Sequence, residues 1–225
     1  MATHLDLEEQ EQLDQLKSFW KQYGNLVTWL LILALAAYAA WNSWNWWQRD
    51  QAVKAGAMYD ELDRAAQAGD AAKAAGIFKD MQERFPGTAF TQQGGLLAAK
   101  LQFDKGQPDA AVASLGWVAA NAIEDEYKTV AHLRLAGLLL DQKKYDEALK
   151  QLDAATSKQF EALVADRRGD VLNAQGKPED AKAAYTKAWQ AMDAKIDYRR
   201  LIEAKLTVLG AAPPAETPKN AGVVQ

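Results

Sequence analysis

A chain of 225 residues with 49% hydrophobic side chains is long and apolar enough for one domain plus an appendage, which excludes global disorder. Its 26 basic and 30 acidic residues leave a formal net charge of −4, so there is no basic surplus to neutralise nucleic-acid phosphates. Cysteine is absent and there are only two histidines, His4 and His132, which removes disulfides, thiolate chemistry and most metal sites or His-based triads.

Residues 5 to 23 read as a short amphipathic helix. Leu13, Leu16, Trp20 and Tyr23 recur at offsets of three, seven and ten and share one face. The segment is acidic, with Asp6, Glu8, Glu9, Glu11 and Asp14 outnumbering Lys17 and Lys21. It reads either as an extension of the helix that follows or as a docking peptide for a partner.

From Gln22 to Gln48 the chain carries no Asp, Glu, Lys or Arg, and Leu26 to Trp41 (LVTWLLILALAAYAAW) is almost unbroken apolar sequence. Crossing roughly 30 Å of hydrocarbon takes about 20 such residues, so a transmembrane helix is expected over 25–47. Six of the eight tryptophans lie between residues 20 and 47. Trp41, Trp44, Trp46 and Trp47 are placed at the membrane interface, where indole keeps its ring in the headgroup zone and its N–H wet. A buried core helix does not need so long a charge-free run. A cleaved signal peptide is the sharper rival, since Ala37-Tyr38-Ala39 fits a small-x-small cleavage site, but the acidic region before it favours an anchor. Lys17 and Lys21 on one side and Arg49 and Lys54 on the other leave the orientation open on charge alone.

Beyond Arg49 the sequence is alanine-rich and repetitive. Ala74, Ala111, Ala148 and Ala181 follow one another at gaps of 37, 37 and 33 residues. Four residues after each stand Phe78, Leu115, Leu152 and Tyr185, and seven after stand Met81, Val118, Ala155 and Ala188. Twelve before stand Leu62, Ala99, Ala136 and Gly169; five before stand Gly69, Gly106, Lys143 and Gly176. A small residue on the first helix lets the alanine of the second approach closely, and the large residue one turn on fills the groove toward the next pair. Gly106 and Gly176 suit the left-handed residue that ends a helix, while Pro108 and Pro178 suit the first turn of the next. Lys143 stands where a glycine is expected. The predicted pairs are 51–68 with 70–85, 88–105 with 108–121, 124–141 with 144–155, and 157–175 with 178–193. A closing helix over 198–209 carries an apolar stripe of Leu201, Ile202, Leu206 and Leu209 that includes Lys205. The fold class is therefore all-α: a single transmembrane helix followed by a tetratricopeptide-like helical-pair solenoid over 48–210. The Ala/Pro-rich tail at 211–225 is expected to be disordered.

The chemistry of a site is missing. His132, four residues before Ala136, takes a structural position, and Glu124-Asp125-Glu126 suits the positive end of a helix dipole rather than a metal. Arg167, Arg168, Lys143 and Lys144 read as solvated or paired with Asp166, Asp170 and Asp146. No catalytic residue, cofactor or metal site is expected, and the chain reads as no enzyme. Binding is the alternative, because the first helices of such pairs line an extended concave face. By spacing, Gln93, Leu96, Lys100, Phe103, Leu133, Leu140, Asp166, Asp170 and Asn173 face inward. Of these, Gln93, Lys100, Phe103, Asp166, Asp170 and Asn173 are the expected partner-binding residues, and the four apolar ones read equally as core.

The four alanine-anchored pairs resemble tetratricopeptide repeats. A combination narrows the family: FWKQYGN (Phe19 to Asn25), one membrane helix, WNSW (Trp41 to Trp44), then LRLAGLLLDQKKYDEALKQLD (Leu133 to Asp153) and VADRRGDVLNAQGKPEDAKAAY (Val164 to Tyr185). Together these resemble the ancillary SecYEG translocon subunit family, the YfgM-type inner-membrane proteins of Gram-negative bacteria. The resemblance implies a cell inner membrane location with residues 1–24 cytoplasmic, one span, and a periplasmic repeat domain. It implies association with the SecYEG translocon and with a PpiD-like membrane-anchored periplasmic chaperone, and help in handing translocating polypeptides to periplasmic chaperones. It also implies a second role, restraint of a cytoplasmic response regulator, for which residues 5 to 23 are the expected contact. A non-enzymatic adaptor is the leading function, and the signalling element its alternative.

Overall fold

The computed structural model describes residues 7–212, with side chains from residue 11 onward. His4 and the acidic residues Asp6, Glu8 and Glu9 of the N-terminal segment lie outside the described side chains, as does the tail from Pro213 onward. Among the described residues the chain is helical throughout, and it divides into two compact units, Met1–Val53 and Lys54–Gln225.

In the first unit, helix α1 (Leu7–Gln67) runs without a break through the amphipathic segment and the charge-free stretch. Residues 7 to 23 are thus continuous with the helix that follows. Its apolar side chains are not core: Leu30, Leu33 and Leu35 stand open, Leu33 with 68% of its surface exposed. A core helix of a soluble protein is thereby excluded, because burial is what stabilises such a helix in water. α1 is long and apolar enough to cross a membrane.

The second unit begins with the last turns of α1, where Ala55, Leu62 and Ala65 are buried. Eight helices follow: α2 (Ala71–Arg84), α3 (Ala89–Asp104), α4 (Pro108–Asn121), α5 (Asp125–Asp141), α6 (Tyr145–Ala154), α7 (Glu161–Ala174), α8 (Pro178–Ala191) and α9 (Tyr198–Val208). A 3₁₀ turn at Lys158–Phe160 leads into α7. Each helix packs chiefly on its neighbours in sequence, as in a solenoid. The ends of these helices fall within a few residues of those the repeat spacing predicts.

The starts and stops have local causes. Asp70 and Thr88 cap α2 and α3 by accepting from Lys73 N at 2.9 Å and Thr91 N at 3.3 Å. Pro108 and Pro178 open α4 and α8, where a missing N–H costs nothing. Between the helices of each pair the chain makes the same left-handed turn. Gly69, Gly106 and Gly176 have φ of 70°, 73° and 78°, and Lys143 takes 58° in their place. At every turn the next N–H reaches back to close the motif: Asp70 N to Ala65 O (2.9 Å), Gln107 N to Gln102 O (2.8 Å), Lys144 N to Leu139 O (2.8 Å) and Lys177 N to Leu172 O (2.9 Å). A fifth such turn ends α9, with Gly210 at φ 74° and Ala211 N bonded to Leu206 O at 2.9 Å. The closing helix thus ends in the same turn as the first helix of each pair. Glu203 occupies its small-residue position and lies exposed.

Within the pairs the columns pack as their sizes require. Ala74, Ala111, Ala148 and Ala181 are buried against the following large residues Phe78, Leu115, Leu152 and Tyr185. The approach is very close at Gly169, where a Cβ would lie 2.4 Å from Tyr185 Cε1. At Gly95, a Cβ would lie 2.4 Å from Val118 Cγ2 and 2.7 Å from Phe78 Cζ. The first pair has Leu62 instead of a small residue, and α3 compensates: a Cβ on Gly94 would meet Leu62 Cδ1 at 3.4 Å and Met81 Sδ at 3.3 Å. The closing stripe departs from expectation at Leu201, which is exposed, while Ile202 and Leu206 carry the burial.

Two substitutions test these backbone arguments by thermal unfolding of the full chain in detergent, followed by helical circular dichroism. Lys143→Gly relieves a left-handed side chain and is expected to raise stability by about 1 kcal/mol. Gly169→Ala drives a methyl group into the Tyr185 ring and is expected to lower it by about 1–3 kcal/mol.

Candidate functional site

The inner helices α3, α5 and α7 bring side chains at helical spacing to one open groove of about 520 Å³. Its floor is small or buried, with Ala99, Gly137 and Leu115; its walls are Phe103 from α3, Val130, Leu133 and Leu138 from α5, and Phe160 and Leu163 beside α7. Phe103 keeps 46% of its surface exposed, a large aromatic held open on the inner side. One cation arrives from each helix: Lys100, Arg134 and Arg167. Lys100 forms an ion pair with Asp104 on its own helix. Arg134 Nη1 donates to the Leu96 main-chain oxygen at 2.9 Å, fixing its guanidinium across α3 and α5. Burial among apolar neighbours lowers the Arg134 pKa. Arg167 lies over Gly137, its Nη1 3.7 Å from where a Cβ would stand, and 3.9 Å from Asp170 Oδ2.

Beyond the groove a polar network fastens α9 to α7. Asp166 is only 2% exposed, and Lys205 Nζ donates to both of its oxygens at 2.8 and 2.9 Å and to Asp170 Oδ1 at 2.7 Å. Tyr198 donates to Asp166 Oδ2 and Tyr185 to Asp170 Oδ1, each at 2.8 Å. Burial first, and the bond to a carboxylate second, raise both tyrosine pKa values well above the ordinary range.

The expected site residues therefore divide. Lys100 and Phe103 line the groove. Gln93 is half-buried and donates to the Tyr127 hydroxyl at 2.6 Å, joining α3 to α5. Asp166 corrects the expectation of an inward, open carboxylate, because α9 covers it. Asp170 is held in the same network, and Asn173 stands exposed by a smaller hollow of about 240 Å³ next to Tyr185 and Lys205. Leu96 is buried and Leu140 packs into the core, while Leu133 serves both core and groove. His132 Nδ1 lies 2.8 Å from Gln151 Oε1, a contact joining α5 to α6. Glu124 stands at the N-cap position of α5 without a side-chain capping bond, and Asp125 and Glu126 lie in its first turn. Arg168 pairs with Asp153 at 2.6 Å rather than with the acids beside it in sequence. Arg134 and Arg167 were legible in principle, since each stands two residues before its small-column residue, Ala136 or Gly169. Phe160 has no such signal, because the 3₁₀ turn breaks the period.

In the first unit Trp41, Trp44, Trp46 and Trp47 are all exposed on α1, Trp46 at 70%, and the Trp44 and Trp47 rings lie 5.2 Å apart.

Residues 17–211 match the family described as tetratricopeptide repeat-like domain. Over 210 residues the chain is 33% identical to the ancillary SecYEG translocon subunit of Neisseria gonorrhoeae, covering 93% of this chain and 100% of that protein. The chain belongs to the ancillary SecYEG translocon subunit family. Relatives of the same name in Haemophilus influenzae (29% identical, 82% of this chain and 90% of that one) and Escherichia coli (31%, 79% and 85%) extend the agreement. No solved structure matches. Membership in this family and the apolar window of α1 fit a membrane protein.

The network has two measurable consequences. Lys205→Met leaves the buried Asp166 without its counter-ion and is expected to cost about 3 kcal/mol, much of it recovered in Lys205→Met/Asp166→Asn, as read by thermal unfolding. The tyrosines hold their protons more tightly folded than unfolded, so their contribution is complete below about pH 10 and is lost as pH climbs through the raised folded values. Unfolding temperatures measured from pH 8 upward should accordingly fall less steeply in Tyr185→Phe/Tyr198→Phe.

Proposed function

We propose that this protein is a non-enzymatic adaptor of the cell inner membrane, associated with the SecYEG translocon. Its N-terminal segment lies in the cytoplasm, residues 25–47 cross the membrane, and the repeat domain works in the periplasm. There it binds a PpiD-like membrane-anchored chaperone and places that chaperone beside translocating polypeptides. The observation that carries this reading is the open groove across α3, α5 and α7, an apolar surface with Phe103 held exposed on a scaffold otherwise packed pair against pair. Names shared with translocon subunits over most of the chain support the location. Anchoring by one span raises the effective concentration of a partner confined to the same membrane, so a modest groove suffices.

A second reading rests on the N-terminal part of α1, where Leu16, Phe19 and Trp20 stand exposed on a helix that begins acidic. In that reading the segment holds a cytoplasmic response regulator.

Affinity isolation of the tagged protein at native level, from mildly solubilised membranes, tests both. SecYEG and the chaperone should co-isolate with the wild type. Phe103→Ala/Leu163→Ala is expected to lose most of the chaperone while its helical content is unchanged, and deletion of residues 1–20 to leave both partners in place. Full retention of the chaperone by the groove variant would overturn the assignment of this surface, and recovery of a regulator without the translocon would favour the second reading.

A further inference from the structure

Each of the three inner helices supplies one cation to the groove, and the carboxylates nearby are largely committed elsewhere. Asp104 is paired with Lys100, and Asp170 is held by Lys205 and Tyr185 with Arg167 at the longer distance of 3.9 Å. Asp141 is the one carboxylate on the lining among the described residues. Arg134 is the key group. Arg134 is exposed at the rim of the groove, its guanidinium is oriented by the Leu96 carbonyl, and among the described residues it forms no ion pair with a carboxylate. The Leu96 carbonyl takes up one of its five N–H donors and fixes its direction, which leaves the rest of the fork free for an anion. Arg167 occupies the same repeat position one pair later, and Gly137 leaves room beside it because no Cβ fills the gap. Between these cations lie Phe103, Leu133 and Leu163.

Resting on the reading of the groove as the partner-binding surface, we propose that its occupant is an acidic, apolar-anchored peptide segment of a partner protein. Its aromatic or aliphatic side chains enter between Phe103, Leu133 and Leu163, and its Asp or Glu carboxylates pair with Arg134 and Arg167. The guanidinium fork favours a carboxylate taken up with two parallel bonds, and an apolar anchor seated beside it shields that pair from water. Charge complementarity disfavours a basic segment, because Arg134 has no carboxylate partner among the described residues and the lining carries three cations against Asp141. A carboxylate-rich segment without apolar anchors leaves the floor wet.

Selection of a random dodecapeptide display library on the full chain in lipid nanodiscs tests this. Enriched peptides are expected to carry two or more Asp or Glu flanking Phe, Leu, Ile or Trp, and to bind at least about tenfold more weakly to Arg134→Gln/Arg167→Gln. Arg134→Lys, which keeps the cation, should retain the acidic preference, and helical circular dichroism establishes that each variant is folded. Neutral or basic enriched peptides, acidic peptides held equally well by Arg134→Gln/Arg167→Gln, or no enrichment would each overturn the proposal. The isolation experiment separates the two claims. If Phe103→Ala/Leu163→Ala loses the chaperone while selected peptides show no acidic preference, the groove stands and its charge assignment falls. If the chaperone is retained and no peptide is selected, both fall.

Discussion

The close approach of the two helices in each pair is the constraint on which the repeat domain depends. At Gly169 and Gly95 there is no room for one more carbon against Tyr185, Val118 and Phe78. Interiors packed this densely transmit a change of one methyl group to the neighbouring helices. The first pair shows how the constraint is met by a different route: Leu62 takes the small position, and Gly94 on the following helix gives way to it. Close contact along the stack is therefore met by different residues on different helices.

That distance also shapes the inner surface. The pairs fill their own interfaces with alanine and one large residue, so the larger side chains of α3, α5 and α7 are left on the inner side with nothing opposite them. Leu133 and Leu163 pack partly on the core and partly line the groove, whereas Phe103 is apolar for a reason the pair packing does not supply. Toward the last pair the same surface is shut, because Lys205 crosses from α9 to Asp166 and Asp170 and brings Tyr198 with it. One stretch of the inner face is thus open and apolar and the next is closed and ionic.

The helical pairs were legible because their spacing is periodic, and the turn at Lys143 was legible from register even though the residue type argued against it. Lys100 and Phe103 were found on the groove by helical spacing alone. The same spacing put Asp166 on the inner side and was right about the helix face, yet wrong about access. The residue that covers it, Lys205, lies 39 positions away on a helix whose packing no wheel of α7 can show. Arg168 gives the same lesson, pairing with Asp153 fifteen positions back across a helix junction instead of with Asp166 or Asp170 nearby. Long-range ion pairs and non-periodic turns such as the one holding Phe160 are decided by tertiary geometry, and sequence offsets within one helix carry no information about them.

The left-handed turn at Gly210 repeats the joint that follows every first helix in the stack. Glu203 is the one charged residue in a column otherwise filled by Leu62, Ala99, Ala136 and Gly169, and it faces solvent. The architecture is therefore modular at this end. A further second helix grown from Gly210 would disturb few of the contacts that precede it, because each pair touches chiefly its neighbours. The inner surface would lengthen at this end while the open groove stays as it is.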